Sequence, residues 1–273
     1  MDEYRYRDYW ARAGEAYART DPLGAVCWDG APPWFNSFFA NQQVHALGAA
    51  MRAEFGAERR TGRALDLGCG VGRWTGWLGR WWTDTAGVDI SRGMLGAAAV
   101  GQQYALADVT RLPFADRSFD CALSCVVLLH LPHEAQAGAI VETARVLRPG
   151  GRFVLLEMVN PGAPRPHLFP RRIAEWAAML GDAGFDVVRA KGEAQAPLLR
   201  ALFAAWRRTG GAATPGADPG GADGSISSIA RLRGPALLAA RAAVALSYPL
   251  EYVAAPLLPA GRALNVCITA RKR

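Results

Sequence analysis

The residues best suited to ligand chemistry in this sequence are an acid and three glycines in the segment RALDLGCGVGRWTGW, residues 63–77. Asp66 precedes Gly68, Gly70 and Gly72, which stand at alternate positions. Glycines leave room for a ligand to approach the backbone closely. A carboxylate beside such a turn favours a cationic ligand over one that carries phosphates. The pattern therefore predicts a small-molecule binding turn.

A dinucleotide site is the first alternative for this turn, and its pattern is G-x-G-x-x-G. Counted from Gly68, the third glycine position is Arg73, and counted from Gly70 it is Thr75, so neither register fits. S-adenosylmethionine (SAM) has no phosphate and carries a sulfonium and an ammonium. The acidic turn thus favours SAM over a nicotinamide dinucleotide as the cofactor.

Two further aspartates follow apolar segments that resemble buried strands. Asp89 stands at the end of the second such segment, where a carboxylate can accept hydrogen bonds from both ribose hydroxyls of either cofactor. Asp108 lies in ALADVTRLPF, where its side chain can take an adenine amino group while Val109 offers a backbone N–H. Both aspartates would also serve as helix N-caps, so their structural role stays open.

The elements that must position these residues alternate between strand and helix. Short apolar runs bounded by Gly, Asp or Pro are typical of buried parallel strands, and helix-like stretches lie between them. The predicted strands are 64–68, 86–90, 119–128, 152–159 and 263–271, the predicted helices are 72–82, 91–100 and 133–147, and a helix followed by a strand spans 173–190. This alternation predicts a doubly wound α/β sheet.

Four segments, ALDLGCGVG, GVDIS followed by Met94, ADVTRLPFADRSFD and VLRPGGRFVLLE, together resemble the class I SAM-dependent methyltransferases. The resemblance covers residues 61–160 and, more loosely, 170–190 and 263–271. It implies a Rossmann-like, mostly parallel seven-stranded sheet whose last strand is antiparallel. It also implies SAM bound at the carboxyl ends of the first strands, as open α/β sheets generally bind ligands.

The resemblance adds three cofactor contacts to those argued from the residues. These are Ile90, Met94 and Tyr17, the last because it resembles a tyrosine that closes over the cofactor from the N-terminal helix of this family. Tyr17 would serve equally well as a packing residue. The predicted cofactor-binding set is Tyr17, Asp66, Gly68, Gly70, Gly72, Asp89, Ile90, Met94, Asp108 and Val109.

The regions outside the resemblance divide the chain into predicted parts. The first 60 residues hold two helix-like pieces around the turn-rich segment CWDGAPPWFNSFF, residues 27–39, and are predicted to form a lid or cap. The parts are a helical cap at 1–60, the SAM-binding core at 61–191, a helical insertion at 192–262 with a helix at 195–208 and a flexible tract at 210–225, and the last strand with a basic tail at 263–273.

His130 is the candidate catalytic residue because it follows the fourth predicted strand, where an acceptor-facing group is expected. Methyl transfer chiefly needs a nucleophile held in line, and a base only where the acceptor must lose a proton. A neutral imidazole can take that proton, although a structural histidine stays an alternative.

We expect O-methylation of a small hydrophobic hydroxyl-bearing molecule, with N- or C-methylation, a SAM-binding protein that transfers no methyl group and an NAD oxidoreductase as alternatives.

Composition limits the partners. The net charge of +7 comes from scattered arginines without a clustered basic stripe, so no nucleic-acid partner is expected. The 5 cysteines lack metal-site spacing, which predicts no metal and fits a reducing, bacterial cytoplasm. Residues 234–260 are predicted to wall an apolar pocket, in preference to an interfacial segment that takes a lipid-like or polyprenyl acceptor from a membrane. The sequence does not determine the oligomeric state.

Overall fold

The computed structural model describes residues 4–17, 32–159, 167–193, 233–254, 260 and 263–273. Its strands are β1 Arg60–Leu67, β2 Trp82–Asp89, β3 Gln103–Leu106, β4 Phe119–Cys125, β5 Leu147–Met158, β6 Phe185–Glu193 and β7 Asn265–Lys272. Its helices are α1 Tyr6–Tyr17, α2 Pro33–Phe55, α3 Arg73–Leu78, α4 Arg92–Gly96, α5 His133–Val146, α6 Ile173–Asp182 and α7 Gly234–Ala254. Residues Leu128–His130 form a 3₁₀ turn.

The strands form one sheet in the order β3-β2-β1-β4-β5-β7-β6. Strands β1 to β5 pair in parallel, and β7 runs antiparallel to both β5 and β6. The predicted doubly wound, seven-stranded sheet with an antiparallel last strand is therefore confirmed. Because the carboxyl ends of parallel strands meet at one edge, Asp66, Asp89 and the residues after β3 and β4 gather there. We call this the carboxyl edge.

Both faces of the central strands are buried, which explains why β4 and the second half of β5 are nearly continuous apolar runs, whereas the outer strands β3 and β6 are largely exposed. On β5 the side chains alternate, so that Val154 and Leu156 pack in the core under α2 and α3, while Phe153 and Leu155 pack in the core under α5 and α6. Tryptophans fill much of the core under α2 and α3, and Trp176 of α6 is fully buried in the core under α5 and α6.

Several predicted boundaries differ from the structure: strands β1, β2 and β5 begin four or five residues earlier than predicted, and three elements end earlier than predicted. The helix predicted at 72–82 ends at Leu78, before Gly79, and the buried Trp82 already begins β2. The helix predicted at 91–100 ends at Gly96, since glycine supports a helix poorly. The strand predicted at 119–128 ends at Cys125, because Val126 adopts a left-handed backbone with φ of 57° that turns the chain out of the sheet.

The segment predicted to be turn-rich, 27–39, is helical from Pro33 onward. Proline fits the first turn of a helix, where its missing N–H has no partner to lose. Phe35 and Phe38 lie at helical spacing and are buried, so apolar burial outweighs the turn-forming composition. Helix α2 runs across the sheet and packs against β5 and β7.

Within the helical insertion predicted at 192–262, the structure contains helix α7, whose Val244 packs against Phe38 of α2. The predicted helix at 195–208 and the tract at 210–225 lie outside the described residues. The domain boundaries stay predictions. Within the described ranges, no helix is long and apolar enough to cross a membrane.

Candidate cofactor and acceptor site

The glycine turn joins β1 to α3 at the carboxyl edge. Gly68, Gly70 and Gly72 all have left-handed backbones, with φ of 63°, 53° and 79°. A Cβ atom on Gly68 would stand 2.6 Å from the Val127 methyls, and one on Gly72 would stand 2.1 Å from the Tyr104 hydroxyl oxygen. Conformation and space therefore both require glycine here. The turn after β1 therefore lies against Tyr104 of β3 and against Val127, which follows β4.

Asp66 lies beneath this turn and is almost fully buried. Its Oδ2 accepts a hydrogen bond of 2.7 Å from the Thr75 hydroxyl, while its Oδ1 has no hydrogen-bond partner. Burial raises the pKa of Asp66 to about 7, against the opposing effect of the Thr75 hydrogen bond. A nearby cation would favour the ionised form and a phosphate would oppose it. The site fits a sulfonium and ammonium ligand and does not fit a pyrophosphate.

Asp89 ties the glycine turn to the end of β2. Its Oδ2 accepts from the Gly70 N–H and its Oδ1 from the Ser91 N–H, both at 2.8 Å. Burial raises the pKa of Asp89, while the N–H groups of Ser91, Gly70 and Ile90 act in the opposite direction. Each carboxylate oxygen has a second acceptor position, so the arrangement is compatible with two ribose hydroxyls. The ribose role of Asp89 stays a prediction.

Helix α4 follows directly and carries the next predicted cofactor residue. The Ser91 hydroxyl caps α4 by accepting a hydrogen bond of 3.3 Å from the N–H of Met94, whose side chain is buried. Ile90, between β2 and this cap, is partly buried. Asp89, Ile90 and Met94 thus lie in one short segment that ends β2 and begins α4, and their adenosine contacts stay predictions.

Asp108 has partners that the sequence did not predict. Its Oδ1 accepts from the N–H and the hydroxyl of Thr110, and its Oδ2 accepts from the Tyr6 hydroxyl and Arg7 Nε of α1, both at 2.7 Å. Burial acts to raise the pKa of Asp108, but these hydrogen bonds together lower it. Asp108 is thus a docking point for α1, and its adenine role stays a prediction. The side chain of Val109 is buried in the core.

The N-terminal helix α1 packs on α4 next to the predicted adenosine site. Gly14 and Gly93 make this contact close: a Cβ on Gly14 would stand 1.9 Å from the Ser91 hydroxyl oxygen, and one on Gly93 would meet the backbone of Glu15 at 2.8 Å. Tyr17 is the last residue of α1. Its side chain lies outside the described part of the structure, so its proposed contact stays a prediction.

His130 lies at the end of the 3₁₀ turn after β4, among aromatic side chains. Trp10 of α1 meets its ring edge to face with centroids 4.8 Å apart, and Tyr9 stacks on the neighbouring ring of His167. The hydroxyl of Tyr4 donates to the His130 carbonyl at 2.8 Å. Sequence reasoning missed this aromatic cluster, although the density of aromatic residues in YRYRDYW was a signal for it.

The hydrogen bond at His130 Nδ1 fixes the state of its ring. Nδ1 lies 3.0 Å from the carbonyl oxygen of His167, so it must carry the proton and donate it. Burial lowers the pKa of His130 to about 4, outweighing the effect of that hydrogen bond. The imidazole is therefore neutral near pH 7, and Nε2 bears the lone pair. This is the state that a proton acceptor needs.

Glu157 is a further buried residue that the sequence did not identify. It lies near the end of β5, and its carboxylate accepts hydrogen bonds from the 3₁₀ turn that carries His130. Burial raises its pKa to about 7, against the N–H donors of Leu128, Leu129 and Val127. A glutamate that ends the apolar run FVLL was the available signal. Among the described residues, no group of His, Cys, Asp and Glu could hold a metal ion.

Comparison with known proteins agrees with this geometry. Residues 65–155 match the methyltransferase domain family. The methyltransferase GfsG of Streptomyces halstedii is 38% identical over 110 residues, which are 37% of this chain and 39% of GfsG. A ubiquinone/menaquinone biosynthesis C-methyltransferase of Pseudomonas aeruginosa is 32% identical over 135 residues, or 44% of this chain and 51% of that protein. The chain spans about half or less of the length of such curated relatives.

Among solved structures, the 4+2 cyclase SpnF is similar over nearly the whole chain. It has a TM-score of 0.56 and 23% identity, covering 96% of this chain and 95% of SpnF. At this identity the likeness concerns the fold. The matching domain carries the acidic glycine turn, Asp89 and Asp108 on successive strand ends. The family match over residues 65–155 identifies this part of the chain as a methyltransferase domain, and the findings together indicate a class I SAM-dependent methyltransferase.

Proposed function

We propose that this protein transfers a methyl group from SAM to an oxygen atom of a small hydrophobic molecule. The observation that carries the proposal is the neutral His130, whose Nδ1–H is held by the His167 carbonyl while Nε2 keeps its lone pair. A methyltransferase acting on an already nucleophilic atom needs no such base. A hydroxyl acceptor does, because its proton must leave as the new bond forms.

The cofactor side of the reaction would rest on the residues of the glycine turn and their neighbours. When bound, SAM supplies a methyl group attached to a sulfonium, and the rest of the cofactor leaves as a neutral thioether. Asp66 and the turn would hold the methionine part, and Asp89 the ribose, with Ile90 and Met94 beside the adenosine. Asp66 would also offset the positive charge of the cofactor in a buried setting, where such an effect is strong.

His130 would accept the hydroxyl proton of the acceptor at Nε2 while the acceptor oxygen forms its bond to carbon. The aromatic residues Tyr9 and Trp10 of α1 lie against the rings of His167 and His130, and would keep water away from the reacting oxygen. The same apolar surroundings favour a hydrophobic acceptor. Relatives in Streptomyces support a specialised metabolite as the acceptor class.

C-methylation of a hydroxylated ring is a second candidate, since one relative is named as a C-methyltransferase. Both reactions would use a base near the acceptor hydroxyl. The test is incubation of the purified protein with methyl-labelled SAM and a set of phenolic and polyketide alcohols, followed by NMR of the product. A label on oxygen supports the proposal, and a label on carbon contradicts the choice of atom. SAM binding with no turnover of any acceptor would favour a protein that transfers no methyl group.

We also propose that α7 walls the acceptor pocket. Its Val244 packs on Phe38, which lies with Trp34 and Phe39 in one aromatic cluster of α2. Leu238 and Leu246 of the same helix are exposed, a pattern that an interfacial helix would also show. Sedimentation with vesicles of phosphatidylglycerol and phosphatidylcholine separates the two: no co-sedimentation is expected, and binding would favour a lipid-like acceptor.

A further inference from the structure

The side chain of Glu157 is fully buried and accepts hydrogen bonds from a neighbouring turn. Three consecutive backbone N–H groups, those of Val127, Leu128 and Leu129, lie 3.3, 3.0 and 3.2 Å from its carboxylate oxygens. The hydroxyl of Ser124 on β4 adds a fourth donor at 3.2 Å. A buried carboxylate is costly unless it is well hydrogen-bonded, and here all four partners belong to the segment that leads from β4 to His130.

The backbone of that segment is unusual and needs support. Val126 has φ of 57°, which is an unfavourable conformation for a β-branched residue. Such a conformation is strained and persists only where the surroundings impose it. The end of β5 provides that support at two adjacent residues: the Leu156 carbonyl accepts the Val126 N–H at 2.7 Å, and Glu157 accepts the next three N–H groups.

The same segment contacts both halves of the site. At one end, the methyl groups of Val127 stand against Gly68 of the glycine turn, where no Cβ would fit. At the other end, the N–H of His130 donates to the Val127 carbonyl at 3.0 Å, and its ring is held by His167. A displacement of residues 126–130 would therefore move the candidate base and the wall of the cofactor turn together.

We propose that Glu157 is a positioning residue, whose carboxylate fixes residues 126–130 and thereby sets the place of the His130 ring relative to the glycine turn. For His130 this rests on the proposed function, but the placement of the turn does not. Glu157 lies beneath the segment and acts through it, so it need not touch either substrate.

The primary test is Glu157→Gln, which keeps the shape of the side chain but replaces one accepting oxygen with an NH₂ group. At least one of the three N–H groups then faces a donor. The control is Glu193→Gln, which alters another buried carboxyl near the carboxyl edge whose partner is Lys191 at 3.2 Å rather than a turn. Three readouts need no acceptor: hydrogen exchange of residues 126–131, the NMR titration of the His130 ring, and calorimetric binding of S-adenosylhomocysteine.

For Glu157→Gln we expect exchange at 126–131 to rise about tenfold or more and the His130 pKa to move up from about 4 as its ring loses its buried place. Binding of S-adenosylhomocysteine should weaken several-fold through the Val127 contact with Gly68. Glu193→Gln should change none of the three. Unchanged exchange and an unchanged His130 titration in Glu157→Gln would overturn the proposal, whatever the effect on melting temperature.

A suppressor variant separates positioning from simple core stability. Val126→Gly removes the cost of the left-handed backbone, so the double variant Val126→Gly/Glu157→Gln should recover much of the wild-type exchange and titration. Additive damage in the double variant would count against the proposal. If Glu157→Gln does not fold, the same measurements are made on Glu157→Asp. This variant keeps the carboxylate but shortens the side chain by one methylene. Wild-type exchange and a wild-type His130 titration in Glu157→Asp would contradict the proposal. Loss of turnover in His130 variants tests the proposed function separately.

Discussion

At the ends of β1 and β2 the site is built mainly from backbone, whereas at the ends of β4 and β5 it is built from side chains of distant segments. On the first half, glycines with positive φ and N–H groups of Gly70 and Ser91 surround Asp89. On the second half, Glu157, His167 and the aromatic residues of α1 hold one histidine in place. The predicted cofactor half is a local pattern, and the proposed acceptor half is a tertiary assembly.

This difference explains how the two halves can vary. A turn held by glycines and backbone N–H groups accepts few substitutions, because a Cβ on Gly68 or Gly72 would meet a neighbouring side chain. Aromatic side chains can be exchanged for others without loss of the backbone that carries them. We infer that acceptor choice can change in this fold while the cofactor stays the same, and four predictions test the contrast.

The largest effect is expected for Asp89→Ala on the cofactor half. The variant leaves the N–H groups of Gly70 and Ser91 without their acceptor, each at a cost of about 1–3 kcal/mol, and also removes the predicted ribose contacts. Calorimetry with S-adenosylhomocysteine should show at least about a 100-fold loss of affinity. Asp84→Ala, near the other end of β2, where Asp84 pairs with Arg63, is the control and should bind normally. Wild-type affinity in Asp89→Ala would mean that the cofactor site lies elsewhere.

On the acceptor half, His130→Gln should lower kcat by about 10²- to 10⁴-fold, the usual contribution of a general base. Affinity for S-adenosylhomocysteine should stay close to wild type, so the two halves would separate. His133→Gln, at the start of α5, serves as the control. The pKa of His130 in the ligand-free protein is about 4, so its ring is neutral between pH 6 and 8. Protonation of His130 should therefore not lower kcat/KM in this pH range. An unchanged kcat in His130→Gln would assign the residue a structural role.

Asp66→Asn tests whether the cofactor half uses charge. The folded-state pKa of Asp66 is raised to about 7, so folding favours its protonated form, and its contribution to stability is lost as pH rises through about 7. A bound cation reverses this by favouring the ionised form, so SAM affinity should rise with pH across the same range. In Asp66→Asn, both the fall of stability with pH and the rise of SAM affinity with pH should be weaker. Thermal melting at pH 5 and 8, with and without SAM, measures both trends. Equal pH dependence in the two proteins would contradict the assignment.

The smallest effect is expected for Tyr6→Phe, which removes one of the four hydrogen bonds to Asp108. The loss should be about 1 kcal/mol, as for a typical hydrogen bond. It should appear as faster hydrogen exchange within α1, with little change in the exchange of β1 and β2. Tyr104→Phe removes a buried hydroxyl that has no partner and should leave exchange in α1 unchanged. If Tyr6→Phe also leaves α1 unchanged, Asp108 is not its docking point.

The sequence alone predicted the sheet and the candidate residues of the cofactor half, whose ligand contacts stay predictions. The apolar runs predicted six of the seven strands, and the family resemblance, carried by four segments that include Asp66, the glycines, Asp89 and Asp108, implied the seventh. These features are local: a strand, its turn and the acid that follows lie within a few residues, and the parallel arrangement brings the turns together. Boundaries failed where burial overrode composition, as for the helix that begins at Pro33.

Only the tertiary structure decided the surroundings of His130 and Asp108. The partners of His130 include Trp10, His167 and, through the turn, Glu157, and those of Asp108 include Tyr6 and Arg7. No spacing rule links these positions, because long-range contacts depend on how α1 and the end of β5 pack at the carboxyl edge. The sequence shows which side chains can hold a proton or a cation, and the packing sets the pKa, the tautomer and the neighbours that make one histidine a candidate base.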